Sequence, residues 1–202
     1  MESAADADLL SRLRAGDRSA ATELVKRYHP RLLSVARSLL RNSGDAEDAL
    51  QEAWISALRA IDGFDGRCSL LTWLTRIVIN SAKMRLRRQG RELSLEELQD
   101  PDQSGFQFSS DGHWQSSPIA WHFSGPEELL CEQDLQRCLD HTLLDMPENQ
   151  RVVLTMRDIQ GMELDEICNS LEIGASNVRV LLHRARTRVY RMIDRYTETG
   201  LC

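Results

Sequence analysis

Apolar residues recur every three or four positions through most of the first ninety residues of this chain, the period of amphipathic helices. Leu9, Leu10 and Leu13 make a short stripe. Ala21, Leu24, Val25 and Tyr28 make a second, with Asp17 placed as its N-cap. Pro30 is placed to open a third helix carrying Leu32, Leu33, Val35, Ala36, Leu39 and Leu40. Asn42-Ser43-Gly44 breaks it, and Asp45 stands as cap of a fourth. The inner side of that helix would hold Ala46, Ala49, Leu50, Ala53, Trp54, Ala57, Leu58 and Ile61. The turn-forming run from Asp62 to Arg67 reads as a loop, and a long helix is predicted from Ser69 to Arg88.

The period then stops. From Gln89 to Gly125 the chain holds Gly90, Pro101, Gly105, Gly112, Pro118 and Gly125, with several Ser and Gln. A linker of roughly 35 residues without its own structure needs a functional reason. Phe106, Phe108, Trp114, Trp121 and Phe123 place five of the chain's eleven aromatics there, so this segment is expected to dock on something. Helical period resumes at Pro126, in an N1 position with Glu127 and Glu128 in the first turn. Cys131, Leu135, Cys138, Leu139 and Thr142 share a face, and Pro147 opens a helix with Val152, Val153 and Met156. No β pattern of any length appears. The expectation is an all-α protein: two small helical domains (1–90 and 126–202) joined by a long acidic linker (91–125), with a helix-turn-helix at the C-terminus.

Charge changes the picture. The net charge is −6, which disfavours nucleic acid as a partner. The average conceals a segregation. Arg67 to Arg91 holds seven Lys/Arg and no acid. Glu92 to Glu128 holds eight acids and no Lys or Arg. Val178 to Ile193 holds five Arg and no acid. Salt screens exposed charges beyond about 10 Å, so local patches decide what binds. Two basic patches flanking an acidic strip can each hold phosphates.

The five cysteines (Cys68, Cys131, Cys138, Cys168, Cys202) are odd in number and show no paired spacing. They read as reduced thiols of a cytoplasmic protein. The N-terminal acids Glu2, Asp6 and Asp8 have the wrong sign for a secretory signal, and no apolar run approaches the roughly 20 residues of a membrane span. Cys131, Cys138 and His141 lack the Cys-x-x-Cys spacing of a metal site, so neither metal nor cofactor is expected. No nucleophile with a placed base and no glycine-rich phosphate loop is legible, so no catalytic residue is assigned.

The C-terminal run from Leu164 to Arg186 is a short amphipathic helix, a tight turn near Glu172 to Gly174, and a second helix with Arg179, Arg184, Arg186, Arg188 and Arg191. A helix-turn-helix sets its second helix into the DNA major groove. Three further stretches accompany it in order. They are Asp45-Ala46-Glu47-Asp48-Ala49-Leu50-Gln51-Glu52-Ala53-Trp54, the run from Phe64 through Arg67 and Trp73 to Asn80, and Met146-Pro147-Glu148-Asn149-Gln150-Arg151-Val152-Val153. Over about 150 of 202 residues the chain resembles the sigma-70 family of bacterial transcription initiation factors, and within it the compact extracytoplasmic-function group.

The resemblance implies roles. Asp45, Glu47, Asp48, Gln51 and Glu52 would face the β′ clamp helices of core RNA polymerase, with the β subunit as a further contact. Phe64, Arg67, Arg76, Asn80, Lys83 and Arg87 would hold the opened −10 strand. Met84 and Cys68 depart from many relatives and bear on which base is preferred. Trp73 reads as core. In the reading helix Ala175, Val178, Leu182 and Val189 would turn inward. Ser176, Asn177, Arg179, His183, Arg184 and Arg186 would face the −35 DNA, where Arg and Asn each supply about 1–3 kcal/mol of base discrimination. The acidic linker would thread the polymerase's positively charged channels. An anti-sigma factor, of a kind often anchored in the membrane, is an expected partner. The rival reading is a stand-alone helix-turn-helix regulator.

Overall fold

A computed structural model describes residues 4–91 and 133–202. Among them the elements are helices: α1 (Ala4–Arg14), α2 (Arg18–Leu39), α3 (Ser43–Ala60), α4 (Leu70–Arg88), α5 (Gln133–Asp145), α6 (Glu148–Leu154), α7 (Leu164–Leu171) and α8 (Ala175–Thr199). A short 3-10 turn (Ile61–Gly63) follows α3, and a π turn (Thr155–Ile159) follows α6. The linker acids, its five aromatics, Pro126 and Cys131 lie outside the described residues.

Two sequence expectations shift. Pro30 does not open a helix; it sits inside α2, which runs unbroken. The missing proline N–H leaves the Lys26 carbonyl without its helical donor, but both residues are exposed and water can serve. Burial of Leu24, Tyr28, Leu32 and Val35 on the opposite face carries the helix through. The cap of α3 is Asn42, not Asp45; the Asn42 side chain accepts the Asp45 N–H at 3.1 Å. Asp17 does cap α2, accepting the Ser19 N–H at 2.8 Å, and Ser69 caps α4 through the Thr72 N–H at 3.1 Å.

The larger finding is that the two halves are packed together. α2 meets α6 and the π turn, and α4 meets α7. One buried apolar cluster runs from Leu9, Leu32 and Leu86 in the first half to Met146, Met156 and Leu171 in the second. Polar contacts cross the same junction. Gln160, just after the π turn, donates its amide to the Arg31 carbonyl at 2.6 Å, and Arg31 returns a bond to the Gln160 carbonyl. Arg151 donates to the Ser38 carbonyl at 2.8 Å. Arg41 and Arg91 both reach Glu148.

The thiol expectation also fails in part. Cys138 of α5 is disulfide-bonded to Cys202, 64 residues on. Spacing could not reveal it, because the pair meets only once α5 lies along α8. Closing a loop of that length restricts the unfolded chain by about 4 kcal/mol in the chain-entropy account. Cys68 and Cys168 are free and half-buried, and burial raises both thiols above their ordinary value.

Candidate nucleic-acid interface

α4 is amphipathic by construction. Leu70, Leu74, Val78, Ile79, Ala82 and Leu86 fill the core, which turns positions 76, 80, 84 and 87 outward. Arg76, Asn80 and Arg87 are exposed and Lys83 is half-buried, so four of the six expected strand contacts share one stripe. Met84 lies among them, 50 % exposed. An apolar side chain in a cationic stripe offers a surface for an unstacked base.

The stripe is also selective about its cations. Arg85 is engaged by Asp45 and Asp48 at 2.8 Å, and Arg88 by Glu52 at 3.4 Å. Gln89 and Arg85 together hold the Asp45 carboxyl below its ordinary value. Arg76, Lys83 and Arg87 have no carboxylate partner among the described residues. The basic segment is thus divided: two arginines tie α4 to α3, and three cations have no carboxylate partner among the described residues.

Phe64 departs from expectation. It is 4 % exposed and tilted against Trp73, with ring centroids 5.3 Å apart. Its ring props the loop and presents no face to a flipped base. Arg67 is freely exposed and paired with Asp65.

The acidic face of α3 is largely occupied by its own protein. Besides Asp45, Asp48 and Glu52, Glu47 pairs with Arg37 at 3.3 Å. Gln51 is exposed. Beside it, one and two turns on, stand Ile55 (47 % exposed) and Leu58 (39 % exposed). Leu58 was expected in the core. The i, i+4, i+7 spacing of Gln51, Ile55 and Leu58 makes a single outward stripe, an apolar centre rimmed by charges. Such a centre is what a protein interface needs for affinity.

The helix-turn-helix is as expected in outline. Glu172 ends α7 in the left-handed region (φ 62°), the only non-glycine residue there among those described. Gly174 precedes α8. Val178, Leu181, Leu182 and Ala185 are buried, which sends Ser176 and Arg179 out to solvent. Asn177, His183 and Arg184 are half-buried. Arg186 is not turned outward: it grips Asp158 of the π turn with two bonds, at 2.9 and 2.6 Å. Its role is to brace α8 against the turn.

Glu166 links the two surfaces. Its Oε2 accepts the Glu163 N–H at 3.1 Å at the start of α7, and its Oε1 accepts the hydroxyls of Thr72 (2.5 Å) and Ser69 (3.3 Å) at the start of α4. Arg76 follows Thr72 by one helical turn, so closure sets a carboxylate at the head of the cationic stripe. Burial pushes the Glu166 carboxyl up, and the bonds from Thr72, Glu163 and Ser69 outweigh it and hold it below its ordinary value. A depressed carboxyl contributes to closure above its unfolded value of about 4.3, and the contribution is lost as pH falls through the lower folded value. The junction is therefore at full strength at neutral pH and loosens only in strong acid. Protection of the amides at the α4–α7 contact, taken relative to their intrinsic exchange rate at each pH, should fall in acid below about pH 4. Glu166→Gln should remove the part of that acid response that belongs to this site; an unchanged profile would contradict the assignment.

Comparison with known proteins adds the family. The Sigma-70 region 2 pattern matches residues 24–92, and the Sigma-70, region 4 pattern matches 136–189. The chain is 32% identical over 188 residues to the ECF RNA polymerase sigma-E factor of Escherichia coli (strain K12), covering 93% of this chain and 94% of that one. This chain belongs to the extracytoplasmic-function sigma factors. The RNA polymerase sigma-H factor of Pseudomonas aeruginosa is 28% identical over 189 residues, covering 94% of each chain. Among solved structures, CnrH in complex with the cytosolic domain of CnrY superposes with a TM-score of 0.57 at 22% identity, covering 92% of this chain and 95% of that one. The sigma factor RpoE in complex with the anti-sigma factor NepR from Bartonella quintana superposes at 0.56 and 21%, covering 86% and 96%. At such identity these two speak for the all-α fold alone. As a sigma factor the chain is a non-enzymatic initiation factor: it binds core RNA polymerase and directs it to specific promoters, while the polymerase supplies the chemistry. A match over nearly the full length of both chains leaves the stand-alone regulator without support.

Proposed function

We propose that this sigma factor reads its promoter at two places. The α4 stripe (Arg76, Asn80, Lys83, Arg87, with Arg67 in the preceding loop) holds the opened −10 strand, and Ser176, Asn177, Arg179, His183 and Arg184 of α8 read the −35 element. Arg186 and Phe64 serve these sites from behind, as brace and prop. The observation that carries the reading is the division of cations on α4, with Arg85 and Arg88 paired to α3 and Arg76, Lys83 and Arg87 without a carboxylate partner among the described residues. Melting costs a few kcal/mol per unstacked base. Phosphate contacts along the stripe and an apolar surface at Met84 return part of it.

Reading both elements requires the halves to part. Their names place them about 25 base pairs from each other, or roughly 85 Å of duplex. A packed protein of this length spans only about 45 Å. The closed packing is therefore a resting form. Core polymerase opens it, taking the Gln51–Ile55–Leu58 stripe as its main hold, with Asp45, Glu47, Asp48 and Glu52 steering from the rim. The β′ clamp is the partner of this stripe, β a second contact, and the linker acids follow the polymerase's positively charged channels. The protein works in the cytoplasm, where an anti-sigma factor holds it inactive.

Ile55 gives the test. It is exposed, so Ile55→Asp leaves the fold intact, but it puts a charge into the centre of the docking stripe. Affinity for core polymerase, measured by fluorescence anisotropy, should fall about 30-fold or more, the scale of a lost interface hot spot. Unchanged affinity would move the docking site off this face.

A further inference from the structure

The structure joins Cys138 to Cys202 in a protein whose proposed workplace is the cytoplasm. Such compartments keep thiols reduced, and a disulfide found there is ordinarily transient. Its surroundings are those of a reactive pair. Cys138 is buried among Leu135 and Met192, whereas Cys202 is exposed at the chain's end. The bond forms one wall of a cleft of about 520 Å³ whose other described walls include His141, Arg188, Arg191 and Arg195, with Asp145 as the carboxylate among the described residues. Cationic neighbours favour a thiolate over a thiol, both as nucleophile and as leaving group.

We propose that Cys138 and Cys202 form a reversible oxidation site, exchanging with low-molecular-weight or thioredoxin-class thiols, and that the oxidised state locks the promoter-reading half. The chemistry is thiol–disulfide exchange. An incoming thiolate reaches the exposed Cys202 Sγ and breaks the bond to Cys138, whose thiolate leaves into the cationic cleft and takes a proton. A second thiol then attacks the mixed disulfide on its outer sulfur and releases Cys202. The sum is protein disulfide plus two thiols giving protein dithiol plus one external disulfide. The reverse, driven by an oxidised low-molecular-weight disulfide, remakes the bond. What the bond controls follows from its position. It ties the segment just past the end of α8 to α5, the helix that follows the acidic linker in sequence. Oxidation adds a covalent tie to what holds α5; reduction leaves α5 to the small cluster of Leu135, Cys138 and Met192 with Leu139, Ile193 and Tyr196, and to the Arg151 bonds and Leu143 packing at its last turn.

The experiment takes the full chain through glutathione buffers from reducing to oxidising, traps free thiols by alkylation, and maps the Cys138–Cys202 peptide by mass spectrometry. The thermal midpoint of each form is read in parallel. The expected result is dithiol in a reducing glutathione buffer and disulfide in an oxidising one, interconverted by dithiothreitol. The oxidised form should melt higher by roughly 10 °C. Cys202→Ser, at an exposed terminal position, should melt like the reduced form in every buffer. A bond that persists in the reducing buffer, or never forms in the oxidising one, overturns the proposal. So does a thermal midpoint blind to the bond, or one that shifts equally in Cys202→Ser. None of these readings involves polymerase or DNA. A failure of the promoter-reading account would show in transcription and leave them intact; the cytoplasmic placement, on which the inference rests, is checked separately by fractionation.

Discussion

Reversing the charge at Arg76, Lys83 and Arg87 together is expected to lower promoter-directed transcription by roughly a hundredfold or more, with core polymerase affinity little changed. All three lie on the outer stripe of α4 and lack carboxylate partners among the described residues, so replacement by glutamate costs the fold no ion pair. What it removes is attraction to a strand phosphate, about 0.7 in the logarithmic salt slope per contact for single-stranded nucleic acid. The slope of promoter affinity against salt should therefore flatten by about two. Arg85 and Arg88 are the internal control. They face α3, and reversing them sets glutamates against Asp45, Asp48 and Glu52. Their loss should register first in stability and leave the salt slope of the residual binding unchanged. If both sets flatten the slope alike, the division of cations on α4 has no bearing on DNA.

Arg151→Ala is expected to be the most damaging single change to the fold. Arg151 is 5 % exposed, and its guanidinium donates to three backbone carbonyls: Ser38 across the junction at 2.8 Å, and Leu143 and Leu144 in the last turn of α5 at 3.0 and 3.3 Å. An arginine at that place satisfies the open carbonyls of a helix end and opposes its dipole. Burial lowers its pKa, as it must for a cation facing carbonyls rather than carboxylates, and the group stays charged at neutral pH. Truncation leaves three acceptors without donors and a void where two halves and a helix end meet. The cost should be about 3–4 kcal/mol, a drop of roughly 10 °C in thermal midpoint. Arg151→Lys should recover only part of it, because a single ammonium cannot span the positions that a planar fork reaches. Thermal unfolding followed by circular dichroism decides the matter; a loss below about 1 kcal/mol would show that the contacts are dispensable.

These results separate what a linear reading can reach from what it cannot. Helical period placed α4, α7 and α8 because each has one buried and one wet face, and burial follows the period directly. The cap at Asp17 was legible, whereas Ser69 was read only as the place where α4 begins and its capping bond to the Thr72 N–H shows in the structure. At the start of α3 several polar residues compete, and Asp45 was read as the cap where Asn42 serves. Pro30 was read as a beginning because local chemistry favours that, and tertiary burial on the far side of α2 overrode it. Leu58 was read as core since the α3 pattern is broad, and only the packing of α2 and α4 decides which apolar residues stay wet. The least legible features depend on contact across long separations. Arg151 stood in a quoted motif, but its partner Ser38 lies 113 residues away. Glu166 stood unremarked inside the helix-turn-helix run and is the clasp on Thr72, 94 residues earlier. Cys138 and Cys202 had no spacing to betray them. Arg186 was counted among the DNA readers because sequence shows charge, while the bidentate grip of Asp158 shows only in three dimensions.

The claim on which the functional account turns is that one chain, closed on itself when free, opens to touch two promoter elements at once. A donor and an acceptor fluorophore, installed through unnatural amino acids at the exposed positions Arg59 and Arg195 so that all five cysteines stay in place, report on it directly. The account predicts high energy transfer in the free chain and a large fall when core polymerase and promoter DNA are added together. Transfer that stays high in a complex competent to make transcripts would contradict it.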